Sequence, residues 1–516
     1  MKSLWLAMSM VIVLGSSCKK DKKEHILSVD KTEVNISGLI NGQASLKITS
    51  STNWTIKAAG SADWLQIEPS SGTGDATVQL KNKVTNNSGP AEITLTLSGE
   101  GNAPVNIKVT RIPLFHQPIL NVLGGSNSEE FNNGAATPDG GYILIGNTYS
   151  TDHDFSERPG SERDAIAVKY TATGSLEWKK TYGGNNNDYF YSVIVTQDGG
   201  FLLAGSSESD FPDRRGSYDF WITKMDKNGI VQWTRMYGSE ENDQAFACVA
   251  VNDGYIIAGS VTGAEGDVTD HFGSTDAWII KLDLTGKLLW QKSHGGSDHE
   301  SVRSLLRTSD GNFVLAGNYG SSNGSGAEDP HGSQDAWLMK FDANNGNKIW
   351  SKRYGGSGID VLYNVYPVEN GELVAVGTSA SNDGQLAGKN QGGEDGLVLR
   401  VAADGQLQNI SLYGGAENDR IQAAVHNREQ GLVVAGFTLN DKYGPNKGKA
   451  DAMLLWINND GTVVNSKLIG SSGNDLGLLL FKTTNGRYVT GGYFSGEDGD
   501  FSTRRGAEDC WSISFQ

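Results

Sequence analysis

Seven acidic side chains recur at one position of seven Gly-rich turns, each five residues after the glycine that begins the turn. The set is Glu129, Asp188, Asp243, Glu300, Asp360, Asp419 and Asp475. Since hard cations take oxygen ligands, such an acidic ring could collect Ca²⁺ or a polycationic partner. The alternative is structural, because an Asp at a fixed place in a turn usually accepts backbone N–H bonds. Repetition in every unit favours the structural interpretation, and we expect no other cofactor.

Long loops that differ between the repeats carry a second set of candidate residues. These loops combine aromatic side chains with Asp, Asn and Arg, as in TYSTDHDFSERPGSER and YFSGEDGDFSTRRGAE. An aromatic platform with a few polar groups is suited to sugars, so we predict a ligand site among these aromatics. The candidates are Tyr149, Phe155, Phe211, Tyr319, Phe494 and Phe501. The alternative is that the loops are only solvated connections.

The sequence offers little for catalysis or transition-metal binding. His271, His294, His299 and His331 fall in the third and fourth repeats, but His271 and His331 occupy nearly equivalent positions, which the repeat itself explains. A metal site would need three or four converging ligands. There is no Ser nucleophile elbow, phosphate-binding Gly loop or Cys pair. We therefore predict no catalytic residues and no metal site.

The turns and loops belong to seven internal repeats, whose length indicates the fold. An Asp opens the third predicted strand of every unit, and successive copies are 55 to 60 residues apart. These are Asp164, Asp219, Asp276, Asp335, Asp395, Asp451 and Asp509. Four short strands per unit are typical of one propeller blade. We predict an all-β chain with a seven-bladed β-propeller over residues 113–516, the acidic ring lying at the mouth of its central channel.

The last repeat lacks its fourth strand, because the sequence stops shortly after its third. Residues 117–123 precede the first repeat and align with fourth strands such as EWKKTYGG. The alignment places Ile119 on Trp178 and Leu123 on Tyr182. We predict that this amino-terminal segment completes the last blade, which joins the two ends of the array and removes open sheet edges.

The units resemble a repeat common in propellers of exported bacterial proteins, with the pattern YGG-x-x-x-D, then DGGY-I-x-AG, then GG-x-D-x-W-x-x-K-x-D. Residues 237–238, 252–259 and 276–283 carry this pattern. The resemblance implies architecture and leaves function open, because propellers host many activities.

Residues 27–112 alternate between polar and apolar side chains in short runs, which predicts a small β-sandwich. Trp54, Trp64, the PSSGTG turn at 69–74 and the ITL run at 93–95 resemble a BACON domain. The resemblance implies an Ig-like sandwich found on exported proteins beside glycan-active or mucin-associated modules. The domain could bind carbohydrate or serve as a spacer. We expect the two tryptophans to be core residues rather than sugar platforms.

Residues 1–18 resemble a lipoprotein signal. Lys2 precedes the apolar run LWLAMSMVIVLG and two serines before Cys18. The resemblance implies cleavage of residues 1–17, lipid on Cys18, a tether over 18–26 and an outer-membrane, surface-exposed location. The run is short for a spanning helix, although an ordinary signal peptide or a retained helix is the alternative.

Composition narrows the classes of partner. The net charge of −17 argues against nucleic acid and against an anionic membrane surface, so we expect membrane contact through the lipid only. We predict a monomeric, non-catalytic surface lipoprotein whose propeller binds a glycan or a partner protein. The alternatives are a protein–protein scaffold in a surface complex and a glycan-active hydrolase or lyase.

Overall fold

A computed structural model describes residues 25–38, 42–83, 91–112, 115, 118–156, 162–326, 331–427 and 431–515. These residues fall into two compact units, within Met1–Pro113 and within Leu114–Gln516. The predicted signal segment, Cys18 and residue 117 lie outside the described ranges. No helix in those ranges is long and apolar enough to cross a membrane.

The amino-terminal unit is a sandwich of two sheets, as predicted. In spatial order, the first sheet holds Leu27–Val29, Gln43–Ser50, Ala76–Asn82 and Leu65–Glu68, and the second holds Glu33–Ser37, Val105–Ile112, Ala91–Gly99, Asn53–Ala58 and Ser71–Thr73. Alternate residues of the strands meet in one core, because successive side chains of a strand point to opposite faces. Trp54 is buried in that core, and its indole Nε1–H donates to the Gly74 carbonyl at 2.9 Å.

The described part of the larger unit contains seven four-stranded antiparallel sheets, which we call blades 1 to 7. From the innermost strand outwards, blade 1 is Glu129–Ala136, Tyr142–Thr148, Asp164–Tyr170 and Leu176–Tyr182; blade 2 is Asp188–Val195, Phe201–Ser207, Asp219–Met225 and Val231–Tyr237; and blade 3 is Gln244–Val251, Gly254–Val261, Asp276–Asp283 and Leu288–His294. In the same order, blade 4 is Glu300–Arg307, Phe313–Tyr319, Asp335–Phe341 and Lys348–Tyr354, and blade 5 is Asp360–Pro367, Leu373–Ser379, Asp395–Val401 and Leu407–Tyr413. Blade 6 is Asp419–Asn427, Gly431–Thr438, Asp451–Ile457 and Val463–Ile469, and blade 7 is Asp475–Lys482, Tyr488–Phe494, Asp509–Phe515 and Ile119–Leu123. Single-turn 3-10 helices lie at His153–Phe155, Gly324–Gly326, Glu369–Gly371 and Gly384–Leu386.

The blades close into a ring. Each innermost strand contacts the innermost strand of the next blade, and that of blade 7 contacts that of blade 1. The second and third strands are buried almost throughout, since neighbouring blades cover both faces of each sheet. Every Asp that was predicted to open a third strand does so. The chain is therefore all-β, a sandwich followed by a closed ring of seven blades.

The strand Ile119–Leu123, which we call the closing strand, completes blade 7. It pairs antiparallel with Asp509–Phe515. Leu123 lies opposite Cys510 as Tyr182 lies opposite Ala165 in blade 1, and Ile119 lies opposite Ser514 as Trp178 lies opposite Lys169. The predicted alignment of this segment with the fourth strands is thereby confirmed residue by residue.

Candidate functional site

The innermost strand of every blade contains a β-bulge at the same place. Pairing with the second strand skips one residue, three positions after the acidic residue of the preceding turn. The skipped positions, which we call the bulge residues, are Asn132, Tyr191, Phe246, Arg303, Tyr363, Gln422 and Leu478. All seven keep exposed surface, whereas the residue before each of them is buried. Since a bulge re-aims a side chain, these positions form a ring around the central channel.

Bulge residues of different blades meet inside the channel. The rings of Tyr191 and Phe246 lie 4.9 Å apart, and the Arg303 guanidinium lies 4.6 Å from the centre of the Phe246 ring. Arg303 is also close enough to Tyr191 and Tyr363 for its charge to affect the pKa of each phenol. Blades 2 and 4 are not neighbours in the ring, so the Phe246 ring of blade 3 connects Tyr191 to Arg303.

A second group of aromatic and charged side chains lies at the end of the channel where the acidic turns are. The ring of Tyr189 stacks on that of Tyr191 at 5.8 Å and approaches that of Tyr218 at 6.1 Å. The guanidinium of Arg163 lies over the rings of Tyr149 and Tyr189, at 4.2 and 5.3 Å. We call Tyr149, Arg163, Tyr189 and Tyr218 the mouth cluster. Together with Tyr191 it forms a continuous, half-buried aromatic surface that leads into the channel.

The charges around the channel are of both signs. Arg163 lies 3.7 Å from Glu130, and Arg420 lies 2.7 Å from Glu394. Burial raises the pKa of Tyr189, and it raises that of Tyr493 in blade 7 to about 12. The phenols are therefore neutral at physiological pH and can donate as well as accept hydrogen bonds. This surface offers stacking faces and hydrogen-bonding groups without a dominant charge.

The acidic ring does not line an open mouth, contrary to its predicted position there, and its buried carboxylates are not presented to a Ca²⁺ ion or a polycationic partner. None of its members (Glu129, Asp188, Asp243, Glu300, Asp360, Asp419 and Asp475) is more than 1% exposed. Each carboxylate accepts the backbone N–H four residues earlier, at 2.5 to 2.9 Å. Burial raises the pKa of Asp188, Asp243 and Asp475 to about 6. These carboxylates are turn-fixing groups, as the structural alternative proposed.

The predicted aromatic platform on the loops is wrong for four of its six members. Phe155 is 2% exposed, and Tyr319, Phe494 and Phe501 are fully buried. Tyr319 and Phe494 are the last residues of second strands rather than loop residues. The loop that carries Phe501 folds back and buries this ring within blade 7. Phe501 stacks on Phe494 at 4.1 Å and approaches the Trp511 ring at 5.7 Å.

The other two loop candidates are half-buried and have different surroundings. Phe211 stacks on the core residue Trp221 at 5.4 Å. Tyr149 belongs to the mouth cluster and is the one loop candidate that the structure brings to the channel.

The histidines of the third and fourth blades do not converge. His294 is buried, its Nε2 is 2.8 Å from the Gly346 carbonyl oxygen, and burial lowers its pKa to about 4. His271 lies 3.7 Å from Asp276. Across the described ranges, no group of three or more His, Cys, Asp or Glu side chains is arranged to hold a metal ion.

Sequence reasoning missed the bulge residues and most of the mouth cluster, although one signal was available. The residue two positions after each acidic residue is apolar or glycine in all repeats, whereas the next residue varies between Asn, Tyr, Phe, Arg, Gln and Leu. Variation at one position inside an otherwise regular strand indicates a surface that the fold does not constrain.

Comparison with known proteins gives a curated relative at low identity. The chain is 26% identical over 323 residues to the regulatory protein FlaEY of Caulobacter vibrioides, which covers 55% of this chain and 33% of the relative. The chain thus spans about a third of the length of that curated relative.

Solved structures are similar at low identity. A quinohemoprotein alcohol dehydrogenase from Pseudomonas putida has a TM-score of 0.38 at 10% identity, covering 75% of this chain and 76% of its own. A subtype N10 neuraminidase-like protein of A/little yellow-shouldered bat/Guatemala has a TM-score of 0.36 at 10% identity, and the match covers 77% of this chain and 96% of that protein. Residues 26–110 match the family described as Viral BACON domain, which confirms the BACON resemblance of the amino-terminal unit.

Proposed function

We propose that this protein is a non-catalytic, lipid-anchored surface protein whose propeller binds a glycan at the mouth of its central channel. The observation that supports the proposal is the half-buried aromatic surface formed by the mouth cluster and Tyr191. We therefore propose a binding surface centred on the innermost strand of blade 2, which carries Tyr189 and Tyr191. The adjoining loops contribute Tyr149, Arg163 and Tyr218, whereas the sequence alone suggested a site on the long loops.

The chemistry of this surface suits a saccharide. The Tyr189 and Tyr191 rings are nearly parallel, at 9°, and lie side by side along one strand. Aromatic faces pack against the C–H face of a sugar ring, while the hydroxyls need nearby donors and acceptors. Neutral phenols and the Glu130 carboxylate supply both.

A glycan array followed by calorimetry tests the proposal. We expect dissociation constants between millimolar and micromolar, weakened about ten-fold or more by Tyr189→Ala, since losing a buried stacking face costs more than 1 kcal/mol. Phe272→Ala is the matched control, because Phe272 is an exposed aromatic (54%) outside the channel. An array without binding contradicts the proposal, and loss of binding in the control would move the site to the loops.

The lipid anchor is a separate part of the proposal. Cys18 would carry lipid after cleavage of the signal, and membrane contact would occur only there. We expect Cys18→Ser to abolish palmitate labelling and to move the protein from the outer-membrane fraction to the soluble fraction. Unchanged labelling of the variant would contradict this part and leave glycan binding unaffected.

A protein scaffold is the first alternative, and exposed apolar residues on the outer strands favour it. Leu176, Val231, Leu289 and Ile349 begin or nearly begin the fourth strands of blades 1 to 4 and are 45 to 50% exposed. A contiguous exposed apolar patch is typical of a protein contact, and each of these four strands would contribute one residue to it. If this function is correct, Leu289→Ser with Ile349→Ser abolishes a specific cross-link at the cell surface that Tyr189→Ala leaves intact.

A glycan hydrolase is the second alternative, favoured by two carboxylates at the channel mouth. Burial raises the pKa of Glu508, and the nearby Glu130 raises it further, as in an acid–base pair. Release of reducing sugar that Glu508→Gln and Glu130→Gln each abolish would establish hydrolysis. Binding without release favours the non-catalytic module.

A further inference from the structure

Arg303 differs from the other arginines near the channel. Arg163 and Arg420 are each paired with a Glu. In the described part of the chain, the Arg303 guanidinium has neither an ion pair nor a hydrogen bond; its neighbours are three aromatic side chains. It is therefore a cation without a counter-ion.

The position of Arg303 makes the lack of a counter-ion unusual. Its neighbours in the strand, Val302 and Ser304, are buried, and burial lowers the pKa of the Arg303 guanidinium itself. Arg303 itself keeps more than a third of its surface exposed inside the channel, so its guanidinium is open to a ligand. The five N–H donors of a guanidinium match a carboxylate or a sulfate in a bidentate arrangement.

The groups around Arg303 restrict the kind of anion. Phe246 lies against the guanidinium, and Tyr191 connects the site to the mouth cluster through Tyr189. Towards the mouth, Arg163 and Arg420 already have the acidic partners Glu130 and Glu394. Arg303 is therefore the arginine of this described region that is free to pair with a ligand anion, so the ligand should carry one anionic group on an otherwise neutral, hydroxyl-rich body.

We infer that Arg303 binds the single anionic substituent, a carboxylate or a sulfate, of a saccharide whose neutral part packs on Tyr189 and Tyr191. This inference rests on the proposed glycan-binding function and specifies its ligand as an acidic sugar. Arg303 then acts as the specificity-determining residue, and the aromatic rings supply contacts that neutral sugars share.

The test measures binding of D-glucuronate, D-glucose and inorganic sulfate to the full chain by ligand-observed NMR. The variants are Arg303→Ala and Arg303→Met, the second keeping apolar bulk if the first fails to fold. Arg307→Ala is the control, because Arg307 is exposed at the end of the same strand. We expect glucuronate to bind at least about ten-fold more tightly than glucose, and Arg303→Met to remove that difference while Arg307→Ala keeps it.

The outcomes separate the two proposals. Glucuronate binding that is equal in Arg303→Met and in the natural sequence overturns the inference but leaves glycan binding in place. A natural protein that binds neither glucuronate nor sulfate also overturns it. Equal affinity for sulfate and glucuronate, with no effect of Tyr189→Ala, would keep an anion site at Arg303 and overturn the proposed function.

Discussion

The two ends of the propeller use the same residue type in opposite ways. At the channel-mouth end, the buried turn carboxylates are held by backbone N–H groups and hydroxyls, as in Asp188, which accepts from Gly184 at 2.8 Å and from the hydroxyls of Ser207 and Ser209. At the other end, Asp-Gly turns of blades 1 to 4 carry exposed carboxylates paired with nearly buried lysines. These pairs are Asp139–Lys169, Asp198–Lys224, Asp253–Lys281 and Asp310–Lys340, at 2.7 to 3.0 Å.

The environment decides the pKa of each carboxyl. Burial raises the pKa of Asp188 to about 6, whereas hydrogen bonds from Lys224 and Thr196 outweigh burial and lower the pKa of Asp198 to about 2. Asp188 and Asp198 lie ten positions apart in one repeat, and their pKa values are thus shifted in opposite directions. Repetition alone therefore shows that a carboxylate is structural without showing how it contributes to stability.

The largest expected effect comes from opening the ring of blades, on which both ends of the propeller depend. Deleting residues 117–123 takes the closing strand from blade 7 and exposes the edge strand Asp509–Phe515. We expect Tm to fall by roughly 10 °C or more, since a whole ladder of hydrogen bonds and the buried Leu123 are lost. Thermal unfolding followed by circular dichroism measures this. Leu120→Ala is the control because Leu120 is 40% exposed, and an unchanged melting curve of the deletion would contradict closure.

The second prediction compares one carboxylate from each end of blade 2. Asp188→Ala leaves a buried N–H and two hydroxyls without an acceptor and should lower the free energy of unfolding by about 3 kcal/mol. Asp198→Ala removes a half-exposed partner of Lys224 and should cost only about 1 kcal/mol. Urea unfolding at pH 7 measures both. Equal losses would show that burial does not distinguish the two ends.

The third prediction uses the sign of the pKa shifts. For Asp188, Asp243 and Asp475 the folded chain binds protons more tightly than the unfolded chain between about pH 4 and pH 6. Each therefore lowers the free energy of unfolding as pH rises through that window, by up to about 3 kcal/mol. For Asp139 and Asp198 the sign reverses, and stability is lost as pH falls from about 4 towards 2.

Urea unfolding of the natural sequence and of Asp188→Asn at several pH values isolates the contribution of Asp188 to the pH dependence of stability. The stability difference between the two should change between pH 4 and pH 6 and stay constant above pH 7. A difference that is constant across the whole range would mean that Asp188 does not titrate in this window.

The smallest expected effect concerns the lysine pairs. Asp310→Asn should lower the free energy of unfolding by about 0.5 to 1 kcal/mol, because the Asp310 side chain is 51% exposed and solvent screens its charge. The loss should shrink in 1 M NaCl. Asp188→Asn provides the comparison, since a buried group should show little dependence on salt.

Much of the fold could be predicted from the sequence because its signals repeat. The spacing of Asp164 and its equivalents fixed the start of each third strand, and the alignment of residues 119–123 with other fourth strands fixed the register of the closing strand. Repeats turn a weak local pattern into seven independent observations of one strand. The buried acidic turns were foreseen as the structural alternative for the same reason.

The candidate site could not be predicted, since its position depends on geometry that periodicity does not carry. A bulge shifts the alternation of a strand by one residue, so Tyr191 and Arg303 reach the channel although a regular strand would assign them differently. Conversely, Phe501 lies in polar loop sequence, yet it is buried because the loop packs back on Phe494 and Trp511.

The closing strand also has a mechanical consequence. Tension applied to the chain on its amino-terminal side enters the ring of blades through Ile119–Leu123, whose attachment within blade 7 is a single antiparallel pairing with the strand Asp509–Phe515. The strand that receives the pull first is therefore the one whose release opens the ring. For a protein tethered at that side, blade 7 would set the force at which the channel comes apart.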